Sequence, residues 1–255
     1  MKHLNDIIQP IADELRQSEV FFEQTLHSGT EPMNSILRYT KETQGKRLRP
    51  ILVLLSARLF GTPNERTYRA TAFVEMMHCA TLMHDDVVDG DDHRRGHASV
   101  QARFGSLSAV LAGDYLLAKA VMLLSQPDDQ AMLHEMLSAA AAMSEGELMQ
   151  SSQSGDYLSI IIHKTASLMR ACCAAGALSV NASPQQVSRI GDFGLRFGIL
   201  FQLRDDILDG ENTTMAQSLL PIYQTQAAQA LDGFAESDTL TCLRALTEYC
   251  AGRKE

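Results

Sequence analysis

Apolar residues recur three and four positions apart along nearly the whole 255-residue chain, the spacing that builds one buried helix face. The pattern predicts helices at 3–27, 31–43, 48–60, 64–89, 98–103, 107–125, 128–152, 156–180, 184–209 and 216–251. Breakers separate them: Ser28-Gly29-Thr30-Glu31-Pro32, Gly61-Thr62-Pro63-Asn64, Gln126-Pro127-Asp128 and Ala182-Ser183-Pro184. No window alternates with period two, and no long linker, low-complexity tract or short repeat interrupts the chain. The expected fold class is all-α, a single domain over 1–255.

Composition agrees. Hydrophobic residues make up 45%, enough for a sizeable core, while aromatics are 6% and Trp is absent. The formal charge of −9 and the lack of a basic stripe exclude a general nucleic-acid binder. Cys79, Cys172, Cys173, Cys242 and Cys250 form no C-x-x-C pair, and are read as reduced structural thiols of a cytoplasmic protein. The apolar stretches 108–125 and 157–180 are interrupted by Asp114 and Lys119, and by His163, Lys164 and Arg170. Neither is expected to span a membrane.

The strongest chemical signal is Asp85-Asp86-Val87-Val88-Asp89 at the end of an apolar helical pattern. On a helix, Asp85 and Asp89 share a face, one turn or about 6 Å apart along the axis. Acids this close repel unless a cation lies among them. Hard divalent ions take oxygen ligands, and Mg²⁺ is commonly held by one or two carboxylates together with substrate phosphates. Asp205-Asp206-Ile207-Leu208-Asp209 repeats the spacing after a second apolar helix. One such cluster alone is more often a solvated helix end. Two matching ones point to a pair of acidic faces meeting across a bundle cavity.

Basic and polar groups supply the counterpart. Lys46 and Arg49, in Gly45-Lys46-Arg47-Leu48-Arg49-Pro50, suit phosphate contacts, Arg as a bidentate donor and Lys as a compact charge. Arg94 and Arg95 follow the first acidic cluster closely. Lys164 and Thr165 interrupt an apolar helix, and Gln202 precedes Asp206 by one turn, so each is either satisfied structurally or lines a cavity. His78 lies seven residues before Asp85 on roughly the same face.

Six segments, GKRLRP at 45–50, HCATLMHDDVVDGDDHRRG at 78–96, AVLAGDYLLAKA at 109–120, GELMQ at 146–150, HKTASL at 163–168 and FGILFQLRDDILD at 197–209, occur in this order. Together they resemble the trans-polyprenyl diphosphate synthases, most of all the long-chain, octaprenyl-type members. The resemblance implies a helical bundle of isoprenoid synthase type around a deep central cavity, usually a homodimer. It implies that Asp85, Asp86, Asp89, Asp205, Asp206 and Asp209 bind Mg²⁺, three ions per site. It assigns isopentenyl diphosphate to Lys46, Arg49, His78 and Arg95, and the allylic diphosphate to Arg94, Lys164, Thr165 and Gln202. Of these, Lys164, Thr165 and Gln202 would also stabilise the allylic cation left when diphosphate departs. The alkene of isopentenyl diphosphate attacks that cation and a proton is lost to the released diphosphate.

In such a fold the product grows down an apolar tunnel beside the first acidic helix. Ala80 and Thr81 are small, so the floor is not expected to close at the farnesyl stage. Met77, Met76 and Phe73 lie deeper and would set the stop, giving a medium- or long-chain product of roughly C25–C50. Two departures stand out. The stretch before Lys164 is short, and 210–253 contains no lysine, whereas the family places two lysines there against the allylic diphosphate. These keep open a non-catalytic subunit of a heteromeric synthase; a shorter-chain (farnesyl/geranylgeranyl) synthase is a further alternative. A class I terpene cyclase is opposed by the repeated D-D-x-x-D.

Overall fold

A computed structural model describes residues 3–42 and 45–253. The helices are α1 (Leu4–Ile8), α2 (Ala12–Thr25), α3 (Glu31–Glu42), α4 (Leu48–Phe60), α5 (Glu65–Asp89), α6 (Val100–Phe104), α7 (Ser106–Leu123), α8 (Gln130–Ser151), α9 (Tyr157–Ile161), α10 (Ser167–Ser179), α11 (Pro184–Asp209), α12 (Thr213–Ala230) and α13 (Asp238–Gly252). The all-α expectation holds.

Three expected elements differ in detail. The helix expected at 3–27 is broken at Gln9–Ile11, a 3₁₀ turn with Pro10 at its centre. That expected at 156–180 contains a π-helical turn, Ile162–Ala166, between α9 and α10. The helix expected at 216–251 is two helices. Gly233 takes a left-handed φ of 77°, and the Ser237 hydroxyl caps α13 by accepting from the Leu240 amide at 3.1 Å. A hairpin too short to alternate, β1 (His93–Arg94) with β2 (His97–Ala98), follows α5; Arg95 and Gly96, both at positive φ, form its turn.

The core runs through α4, α5, α10 and α11. Residues Ile51 to Leu55 of α4 are buried on every side, which fits a central helix rather than an amphipathic one. Close approach of α10 requires Gly176: a Cβ there would lie 2.2 Å from the Val53 carbonyl oxygen. Gly198 does the same for α11 against the π turn, where a Cβ would lie 2.6 Å from Ala166 Cα. These contacts bring Thr165 and Gln202 within reach of each other.

Among the described residues, α7 is the one helix long and apolar enough to cross a membrane. One of its faces, with Ala109, Ala112, Leu116 and Ala120, is buried, and the helix packs on α5. The other exposes Leu107, Leu111 and Met122. None of the five cysteines forms a disulfide, and four of them are buried.

Candidate active site

Helix α5 is started firmly. The Asn64 side chain accepts from the Arg66 amide at 2.9 Å, and Thr67 reaches back to the Asn64 amide at 3.1 Å. It stops just after Asp89, at Gly90 with φ 70°. Helix α11 stops in the same way after Asp209, at Gly210 with φ 78°. Both acidic clusters therefore occupy the last turn, where the helix dipole disfavours carboxylates, and neither last turn contains a basic residue. Compensating cations must come from elsewhere.

The two clusters are embedded alike. Asp85 and Asp205 are half-buried, Asp86 and Asp206 are buried, and Asp89 and Asp209 are exposed. Asp86 accepts from Arg94 Nε at 2.8 Å and from a second nitrogen of the same guanidinium. Asp206 accepts from the Tyr157 hydroxyl on one oxygen and from Gln202 Nε2 at 2.7 Å on the other. The Gln202 carbonyl oxygen in turn accepts from Thr165 Oγ1 at 2.8 Å. Thus the central aspartates are held by protein donors. Burial and the Asp206 carboxylate push the Tyr157 hydroxyl well above the ordinary phenol range, so it remains a donor at any ordinary pH.

Tyr157→Phe is expected to leave one Asp206 oxygen without its donor and to lower turnover about tenfold, with the fold intact. Steady-state rates alongside thermal unfolding check it. An unchanged rate would mean that the hydroxyl does not position the second acidic face.

The outer carboxylates differ. No ion pair reaches Asp85, Asp89 or Asp209 among the described residues, while Asp205 is paired by Arg253. Burial, then Glu147, push Asp85 up to about 6, and Lys164 opposes them. Lys164 itself donates to Glu147 at 2.6 Å and to Gln150 at 3.0 Å. No three metal-ligating side chains stand together among the described residues. Asp85 and Asp89 present carboxylates from α5, and Asp205 and Asp209 from α11, oxygen donors of the kind that a hard divalent cation takes alongside substrate oxygens.

Beside the first cluster lies a cavity of about 340 Å³. Lys46, Arg49, His78, Arg94 and Arg95, all expected phosphate ligands, line it together, with Asp86, Phe201 and Arg253. Arg49 Nε is buried without an acceptor. Burial, then Arg49, Arg95 and Arg94, hold His78 well below the ordinary imidazole range, so it is neutral at neutral pH. Its Nε2 lies 3.5 Å from Arg95. Glu75 also faces the cavity; burial raises its carboxyl while Arg49, Arg47 and Arg95 pull it down. Cations outnumber carboxylates around this space, so its electrostatics favour an anion.

Phe73, Met76, Met77 and Ala80 pack inside the core rather than along this cavity. Thr81 is half-buried, its hydroxyl donating to the His78 carbonyl at 3.0 Å. Tyr157, Glu75, Glu147 and Arg253 received no role from the sequence. Glu147 alone had a signal, its place in the GELMQ segment.

Residues 30–218 match the family profile described as Polyprenyl synthetase. This chain belongs to the polyprenyl synthetase family. It is 33% identical over 219 residues to octaprenyl diphosphate synthase of Haemophilus influenzae, covering 83% of this chain and 67% of that protein. It is 39% identical over 178 residues to geranylgeranyl diphosphate synthase of Sulfolobus acidocaldarius, covering 64% of this chain and 54% of that one. The chain thus spans between about half and two thirds of the length of these relatives. A polyprenyl synthase from Caulobacter crescentus, solved with calcium and isoprenyl diphosphate, superposes with a TM-score of 0.93 at 25% identity, over 99% of this chain and 98% of that one.

Proposed function

We propose that this member of the polyprenyl synthetase family condenses isopentenyl diphosphate with an allylic diphosphate, in a Mg²⁺-dependent reaction, to give a medium- or long-chain polyprenyl diphosphate. The carrying observation is the juxtaposition of a cation-lined cavity with two helix ends that carry the same aspartate arrangement. Asp85, Asp89, Asp205 and Asp209 would hold Mg²⁺, whose charge would stabilise the departing diphosphate.

The chain's own residues do the rest. Lys46, Arg49 and Arg95 hold the diphosphate of the isopentenyl substrate, and neutral His78 adds a hydrogen-bonding ring without further charge. Arg94, fixed on Asp86, and Lys164, moored on Glu147, serve the allylic diphosphate. Thr165 and Gln202, joined to each other by a hydrogen bond, would offer oxygen atoms to the allylic carbon as its C–O bond breaks. A C–C bond then forms to the alkene, and the proton lost passes to the released diphosphate.

Small Ala80 and Thr81 favour a long product, with Phe73, Met76 and Met77 as the stop. The exposed apolar face of α7 fits a second copy of the chain, and buried cysteines without disulfides fit the cytoplasm. The test is incubation with isopentenyl diphosphate, Mg²⁺ and geranyl, farnesyl or geranylgeranyl diphosphate, followed by mass analysis. Products of roughly C25–C50 are expected. No product with any primer would remove the catalytic reading and leave a subunit of a heteromeric synthase, to which the absence of lysine from 210–253 would then belong.

A further inference from the structure

Asp205 has a single ion-pair partner among the described residues, and that partner comes from 48 positions further along the chain. Arg253 follows α13. Its backbone is clamped, because Arg204 Nε donates to its carbonyl oxygen at 2.7 Å and a second Arg204 nitrogen donates to the same atom. The side chain turns inward over the Phe201 ring, 4.4 Å from its centroid. One terminal nitrogen meets the Asp205 carboxylate and, at 3.4 Å, the Phe201 carbonyl oxygen.

Arg253 is only 6% exposed, yet its Nε has no acceptor. The same guanidinium lines the cation-rich cavity with Lys46, Arg49, His78 and Arg95. A buried charged donor left unmade is costly, and like charges around one cavity add to that cost. An anion entering the cavity would relieve both. No lysine in 210–253 offers an alternative, and Arg244 is paired with Glu236 on the surface.

We infer that Arg253 is shared between the second acidic face and the diphosphate cavity: it neutralises Asp205 while the cavity is empty, and turns to a diphosphate bound there, leaving Asp205 open to a metal ion. The identity of that diphosphate rests on the reading under Proposed function. Loading of the cavity and metal binding at Asp205 are then coupled, because each favours the same displaced position of one side chain. Arg253 acts on the metal as a positioning residue and on the diphosphate as a ligand.

The full chain and its Arg253→Gln and Arg253→Lys variants test this without turnover. Mn²⁺ affinity is measured by electron paramagnetic resonance with no prenyl substrate present. Affinity for isopentenyl diphosphate is measured by calorimetry with no metal present. Arg253→Gln is expected to bind Mn²⁺ about tenfold tighter and isopentenyl diphosphate about tenfold weaker, and Arg253→Lys to fall between. Opposite signs are the signature. A role in folding alone would weaken both, and that result, or no change in either, overturns the inference. If the wild type yields no prenyl product but the opposite shifts remain, the proposed reaction falls and the inference stands.

Discussion

Asp85→Ala is expected to lower prenyl transfer by about a hundred- to a thousandfold while the protein stays as stable as the wild type or becomes more so. The two effects have one origin. Asp85 sits half-buried in the last turn of α5, against the dipole, facing Glu147 and with no ion pair of its own among the described residues. Its carboxyl is held at about 6, above its ordinary 3.8. A carboxyl raised on folding binds its proton more tightly in the folded state, so the folded chain loses stability as pH rises from 3.8 towards 6, and the whole cost is present above that window. Alanine removes the cost together with the metal ligand. Single-turnover rates with Mg²⁺, and thermal unfolding in a chelator at pH 7, measure the two sides. A large loss of melting temperature would show that Asp85 supports the fold, and an unchanged rate would remove it from the chemistry.

Asp129→Ala is expected to destabilise the fold by about 3–5 kcal/mol, far from any substrate. Asp129 is completely buried at the start of α8. It accepts from Arg66 Nε at 2.8 Å, and from Arg69 Nε at 3.0 Å and Nη2 at 2.8 Å. Arg66 also donates to the Asn181 side chain at 2.8 Å and the Asp128 carbonyl at 2.7 Å, so the cluster ties the start of α5 to α8 and to the end of α10. Removing the carboxylate leaves two largely buried guanidinium groups facing each other. Urea unfolding measures the loss, and a value under about 1 kcal/mol would mean that water replaces the carboxylate readily. Activity per folded molecule is expected to be unchanged.

Helical periodicity was a good guide wherever a helix buries one continuous face, as in α5 and α11, both legible nearly to the residue. It failed where apolar character continues through a break. Leu231 and Phe234 keep the pattern going across the turn between α12 and α13, although Asp232-Gly233 and Ser237-Asp238 mark it. The π turn has no sequence signature: what marks it is its close packing on Gly146 of α8 and Gly198 of α11, a tertiary contact. The site followed the same division. Residues clustered along the chain, such as the six aspartates and the Arg94-Arg95 pair, were visible. Tyr157 and Arg253 were not, because each meets its aspartate only across 49 and 48 positions of folded chain.

Helices α5 and α11 end alike, and residue for residue the same steps lead from half-buried to buried to exposed carboxylate. Under the proposed reaction each end would bring its own cation to the departing diphosphate, and neither would act alone. A leaving group drawn evenly by two such cations would come off its carbon without being dragged toward either helix, so the carbon left behind would stay where its new partner waits.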